Sequence, residues 1–138
     1  MSARTKARKR ALDALYEADM KGADAREVLA ATEGTLQAPL NPYTSELVDG
    51  VYENLNEIDD LISTYAQGWT IDRMPTVDRN IVRIGVFEIV WNPEVPTAVA
   101  ISEAVDLAKL LSTDESGAFV NGLLARIADV DARRGGLS

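Results

Sequence analysis

The sequence has no cysteine and no histidine in 138 residues. That removes disulfides, thiolate or imidazole metal ligation, and the usual nucleophile and base pairs of hydrolases. No metal site, cofactor or catalytic residue is therefore expected, and the chain reads as a non-enzyme. An absence of cysteine suits a reducing cytoplasm, the expected location. No apolar run approaches the roughly 20 residues that span a bilayer. The amino terminus also lacks the apolar stretch of a secretory signal. No segment alternates apolar and polar residues over the length of a strand, and no Walker loop, dinucleotide fingerprint or EF-hand spacing occurs.

What is present is helical periodicity and an uneven distribution of charge. The net charge of −8 argues against a polyanionic partner, because such binding neutralises phosphates with Lys and Arg. Its distribution argues the other way. Arg4, Lys6, Arg8, Lys9 and Arg10 place five cations in the first ten residues, and the rest of the chain carries all 22 acidic residues. This is a basic arm on an acidic body.

A first helix is expected from about Arg4 to Lys21, with Ala7, Ala11, Ala14, Leu15 and Ala18 on one face and Gly22 as its C-cap. A second covers about Ala25 to Leu36. Asn41-Pro42 starts a third, with Leu47, Val48, Val51, Tyr52 and Leu55 inward. Asn56 is expected to cap a fourth, carrying Ile58, Leu61, Ile62 and Tyr65, and Gly68 and Pro75 bracket a connection. From Thr76 to Trp91 apolar residues occupy nearly every side, which marks a central core helix. Pro93 and Pro96 interrupt the pattern. A sixth helix then aligns Ile101, Ala104, Val105, Ala108 and Leu111, and a seventh aligns Val120, Leu123, Leu124 and Ile127. The expected fold is all-α, with about seven helices in two small antiparallel bundles packed as one unit. The division is placed at 1–72 and 73–132, with a disordered tail at 133–138 opened by Gly135-Gly136.

On the first helix, Lys6, Lys9 and Arg10 share a face, and Tyr16 lies about two turns beyond Lys9. That arrangement suits phosphates and a stacked base. It equally suits a solvated face, since Asp13 and Glu17 follow on the same side. The acidic pairs Asp59–Asp60, Asp114–Glu115 and Asp129–Asp131 read as surface and helix-start charge. Ser112 to Gly117 is a polar break before Phe119-Val120-Asn121-Gly122, where Asn121 and Gly122 oppose helix propensity.

Four blocks carry a resemblance. They are Arg8-Lys9-Arg10-Ala11-Leu12-Asp13-Ala14-Leu15-Tyr16, Val77-Asp78-Arg79-Asn80-Ile81-Val82-Arg83, Ala100-Ile101-Ser102-Glu103-Ala104-Val105-Asp106-Leu107-Ala108-Lys109, and Phe119-Val120-Asn121-Gly122-Leu123-Leu124. In order and spacing the chain resembles the NusB family. The resemblance implies processive transcription antitermination. It implies binding of the single-stranded boxA element of nascent ribosomal RNA together with NusE, a small-subunit ribosomal protein, within an assembly of NusA, NusG and RNA polymerase. Carried over by position, it offers Arg4, Lys6, Arg8, Lys9 and Arg10 for phosphates, with Tyr16, Tyr65, Ser116, Phe119 and Asn121 for bases and sugars. Asp78, Arg83 and Glu88 are the positions expected to meet NusE. Gly68 and Gly117-Ala118 replace more polar residues of some relatives, so weak RNA binding without NusE is expected.

Two other readings stand beside this one. NusB-like domains occur fused ahead of ribosomal RNA cytosine methyltransferases; 138 residues have no room for a cofactor-binding domain as well, and if the chain were such a domain excised from a longer protein, the reading frame is expected to continue past Ser138. The other is a helical interaction protein, working as a homodimer, whose basic arm is incidental. Whether Tyr16 and Phe119 stack on bases or pack in the core is left open by the sequence.

Overall fold

A computed structural model describes residues 2–35 and 39–135. Among these residues the chain forms seven α-helices and one 3-10 turn, with no strand. The helices are α1 (Ala3–Lys21), α2 (Ala25–Glu33), α3 (Pro42–Glu53), α4 (Leu55–Tyr65), α5 (Thr76–Trp91), α6 (Thr97–Leu111) and α7 (Asp114–Gly135), and the turn is Ile71–Arg73.

Local chemistry sets several of the helix ends. Ser2 Oγ accepts from the Thr5 backbone N–H at 3.1 Å, Asp24 Oδ1 from Arg26 at 2.8 Å, and Asn41 Oδ1 from Tyr43 at 2.9 Å. Pro42 follows Asn41 at the first position of α3, where the missing N–H has no helical partner to lose. Gly22 ends α1 with φ 68°, the left-handed conformation in which a Cβ is strained. The expected cap at Asn56 is displaced. Asn54 closes α3 and opens α4, so the two helices share one boundary residue and Asn56 lies inside α4. Of the expected second helix, Leu36 lies outside the described residues. So do Gly136 and the residues after it, but α7 continues through 133–135, a segment expected to be tail.

α5 is the centre. It packs against α1, α3, α4, α6 and α7, and from Asn80 to Ile89 only Arg83 keeps an appreciable share of its surface. α1, α2 and α3 pack together on one side of it, and α6 pairs with α7 on the other. α4 lies against α5 and α7. Leu12, Leu47, Val48, Val51, Ile58, Ile62, Ile81, Val82, Leu123, Leu124 and Ile127 are almost fully buried. Each contributes about 1.5–3 kcal/mol relative to exposure. On α6 the inward face is Ala100, Ala104, Leu107 and Ala108, whereas Leu111, expected inside, is exposed at the helix end. Tyr52 and Leu55 are only half-buried at the margin of the core.

Two glycines are required by packing. A Cβ on Gly50 would stand 2.1 Å from Phe87 Cε1, and one on Gly85 would stand 2.7 Å from Leu124 Cδ1. No real carbon tolerates the first distance, so Phe87 must leave its place if residue 50 gains a side chain. Gly50→Ala is expected to destabilise the fold by about 1–3 kcal/mol despite alanine's better helix propensity, measured by urea denaturation. A variant as stable as the parent would show that α3 and α5 can separate freely.

Candidate functional site

The five cations of the basic arm do not share one environment. Lys6 and Arg10, one turn apart on α1, are exposed and make no ion pair among the described residues. Together with Ala3, Ala7, Pro39, Leu40, Asn41 and Thr44 they line an open cavity of about 290 Å³. Lys9 reaches Asp13 at 3.4 Å, and Arg4 reaches Glu94 at 3.8 Å while lying 4.6 Å from the centroid of the Tyr43 ring. Both pairs are solvent-exposed and weak, each worth about 0–1 kcal/mol. Four cations thus remain available to an external anion.

Arg8 is a correction to the expected phosphate row. Its side chain is 3% exposed and turned into the molecule. The guanidinium Nε donates to both Glu88 oxygens at 3.0 Å, one terminal nitrogen meets Glu88 at 2.9 Å, and the other meets Glu103 at 3.5 Å. Tyr43 Oη donates to Glu88 and accepts from Asn92 Nδ2 at 3.2 Å, and Thr5 Oγ1 donates to Glu103 at 2.8 Å. Burial disfavours the Arg8 charge, but the Glu88 hydrogen bonds and charge outweigh it, so the group titrates above its ordinary range. Burial and the adjacent carboxylate likewise push the Tyr43 phenol up. Glu88 is 1% exposed, and a carboxylate so enclosed has no surface to give NusE, which corrects its assignment as a partner residue.

A second network sits one helix length away. Asp19 of α1 accepts from Arg79 at 2.6 and 2.7 Å, from Asn80 at 2.9 Å and from Arg83 at 3.2 Å. Arg83 also donates to Asp59 of α4 at 2.9 and 3.0 Å. Arg83, the second expected partner residue, is therefore committed to internal carboxylates. Burial would raise the Asp19 carboxyl, but the hydrogen bonds from Arg79 and Asn80 and the arginine charges hold it below the usual carboxylate range.

The expected base-binding residues fall in different places. Tyr16 is 38% exposed on α1, and Asn121 is exposed on α7. Tyr65 is half-buried at the end of α4, where its backbone oxygen accepts from Arg126 Nε at 3.0 Å. Ser116 and Phe119 meet at a third place, an open cavity of about 410 Å³ at the start of α7. There Trp69 and Phe119 face each other with ring centroids 6.0 Å apart and planes inclined at 51°. Ser116 Oγ donates to Asp78 Oδ2 at 2.7 Å and accepts from Thr113 Oγ1 at 3.0 Å. Asp78, the remaining expected partner residue, is 3% exposed but lines this cavity, so only through it can a partner reach the carboxylate. Trp69 was missed by sequence reasoning. Its signal was an isolated aromatic inside the polar connection Gln67-Gly68-Trp69-Thr70.

Seven helices with α5 at their centre, a basic face on α1 and an aromatic cavity beside α7 define a small all-helical protein whose densest cluster of cations lies on one helix. Residues 5–129 match the NusB family model, and the chain belongs to the NusB family. Relatives named transcription antitermination protein NusB include one from Pseudarthrobacter chlorophenolicus, 54% identical over 92% of this chain and 93% of its own. Another, from Leifsonia xyli, is 55% identical over 98% of this chain and 97% of its own. Among solved structures, NusB of T. maritima superposes with a TM-score of 0.84 at 34% identity, covering 94% of this chain and 92% of that one. A crystal structure of the antitermination factors NusB and NusE in complex with double-stranded RNA superposes with a TM-score of 0.83 at 30% identity, covering 94% and 98%. Among the described residues no helix is long and apolar enough to cross a membrane.

Arg8→Met leaves Glu88 charged in the core and is expected to lower stability by about 3–5 kcal/mol. Lys9→Met, which breaks only an exposed pair, should change it by less than about 1 kcal/mol in the same chemical melts. Because the Asp19 pKa is lower folded than unfolded, its contribution is present above the unfolded carboxylate value near about 4 and is lost as pH falls through the folded value. Asp19→Asn should therefore be less stable than the parent at pH 7, with the gap narrowing below about pH 4. A gap independent of pH would show that the Asp19 charge contributes nothing.

Proposed function

We propose that this chain is a transcription antitermination factor that binds single-stranded boxA RNA of ribosomal operons as a heterodimer with NusE, and joins NusA, NusG and RNA polymerase. The observation that carries the reading is the outward row of Arg4, Lys6, Lys9 and Arg10 on an otherwise acidic body, held on a helix whose rotation Arg8 fixes. Its context is a fold shared with a NusB that was crystallised with NusE and RNA. Phosphates bind along this row, and unstacked bases reach Tyr16 and the α7 cavity that contains Ser116 and Phe119. NusE meets the chain near the α5 amino terminus, where Asp78 is reachable through that cavity. No bond is made or broken, and the chemistry is recognition alone.

The salt dependence of RNA binding separates four phosphate contacts from five. With Arg8 buried, a log–log slope of about −2.8 is expected, against about −3.5 if it too met a phosphate. Titrations of a short boxA RNA and a scrambled control, by the chain alone and with its cognate NusE, supply the rest of the test. Preferential boxA binding that tightens with NusE is the expected result. Equal binding of both RNAs in every mixture would remove the boxA reading.

A further inference from the structure

The basic arm has a hollow beside it, and a cation row that met phosphates alone has no need of one. Lys6 and Arg10 stand one turn apart on its rim, with about 5–6 Å between their Cβ atoms. Between these cations α1 presents only the methyl groups of Ala3 and Ala7. Residues 39–41, which lead into α3, face that small-residue strip and leave an open space of about 290 Å³. Its far wall is Pro39, which is exposed, and Leu40, which is half-buried. A largely apolar hollow flanked by two cations is matched to a flat, uncharged group that carries a phosphate on either side.

The polar groups of the hollow favour one kind of partner. Asn41 Oδ1 is spent on the Tyr43 backbone N–H, while Asn41 Nδ2 makes one long contact, 3.4 Å to the Ala3 carbonyl. A primary amide has two hydrogens, so a donor remains. Thr44 Oγ1 donates to the Ala7 carbonyl at 3.4 Å, and Lys6 and Arg10 are donors only. No carboxylate lies among the lining residues, whereas cavities elsewhere are walled by Asp19, by Asp78 with Glu115, or by Glu57 with Asp60. Such a set gives hydrogens to ring carbonyl oxygens and has little to accept them from an amino group. Uracil carries carbonyl oxygens on its edge, and adenine carries an amino donor.

We propose that this hollow seats one base of the bound RNA strand. A carbonyl-bearing base such as uracil lies against Pro39 and Leu40 and accepts from Asn41 Nδ2, with its flanking phosphates on Lys6 and Arg10. The cations then select a polyanion, and residues 39–41 select the base. The seat rests on the RNA reading above, but on neither boxA nor NusE.

Binding of an oligouridylate, and of a ribose–phosphate strand of equal length that lacks bases, tests the seat when each is titrated at several salt concentrations. The parent should prefer the oligouridylate. Asn41→Ser keeps a side-chain cap for α3 and removes the amide donor, and Leu40→Ala removes part of the apolar wall. Each should weaken oligouridylate binding about fivefold or more, with the log–log salt slope unchanged and the baseless strand bound as by the parent. Lys6→Met, in contrast, should weaken both strands and flatten the slope by about 0.7. In NMR spectra of the ¹⁵N-labelled chain, uridine monophosphate should shift the Asn41 side-chain amide saturably, and adenosine monophosphate should need a higher concentration. Urea melts matching the parent's identify the losses as losses of binding, and Pro39→Ser, at an exposed position, replaces a variant that melts early. Variants that bind the oligouridylate as the parent does, or that weaken both strands alike, would overturn the proposal. So would a parent that binds the two strands equally. If neither strand binds, the RNA reading falls and the seat with it; if both bind with the expected slope while the variants change nothing, the seat alone falls.

Discussion

The Arg8–Glu88 pair ties together parts of the chain that have no other reason to adopt one geometry. It links α1 to α5, and through Tyr43 and Glu103 it reaches α3 and α6. Removing both charges from water is costly, and the attraction recovers that cost only where geometry is good and the remaining hydrogen-bonding capacity is filled. Here Nε, both terminal nitrogens and the Tyr43 hydroxyl all find partners. Such a pair tolerates little rotation of α1. With residue 8 turned inward, the helical period turns residues 6 and 10 toward solvent.

Asp19 provides the second fastening. It lies eleven residues after Arg8, about 16 Å along the helix, and binds Arg79, Asn80 and Arg83 near the other end of α5. The basic helix is thus held at two points by ionic contacts and between them by small residues, with Ala11, Ala14 and Ala18 nearly inaccessible. Alanines allow a close approach but little apolar area, so directional contacts set the position that bulky side chains set elsewhere in the core. A rigid α1 holds its outward cations at constant spacing, which lowers the ordering cost of binding a flexible anionic strand.

The acidic body is internally differentiated. Asp19, Asp59 and Glu88 neutralise arginines inside the fold, whereas Asp78 and Glu115 meet at a cavity that contains no arginine or lysine. The net charge of −8 conceals two opposite surfaces, a cationic one on α1 and an anionic one beside α7.

Several helix ends were legible in the sequence because capping is a contact between near neighbours. Gly22, the Asn41-Pro42 start and the limits of α5 at Thr76 and Trp91 all stand where local rules place them. The miss at Asn56 is of the same local kind. Two asparagines lie two residues apart, and it is Asn54 whose side-chain amide donates to the Gly50 carbonyl at 2.8 Å and closes α3. The all-helical class and the NusB family were likewise readable from periodicity and from four short blocks.

What the sequence could not decide was which charges face inward. Arg8 stands between Ala7 and Lys9 and looks like any member of a basic row; its partner is 80 residues away. Asp78 and Glu88 read as surface because charge normally is, and Trp69 stands 50 residues before the ring it meets. The sequence by itself determined the helices and the existence of a basic arm, since both depend on interactions within a turn or two. The tertiary structure decided which four cations of the arm stay at the surface and which carboxylates are buried, since burial is a property of the residues that arrive from elsewhere.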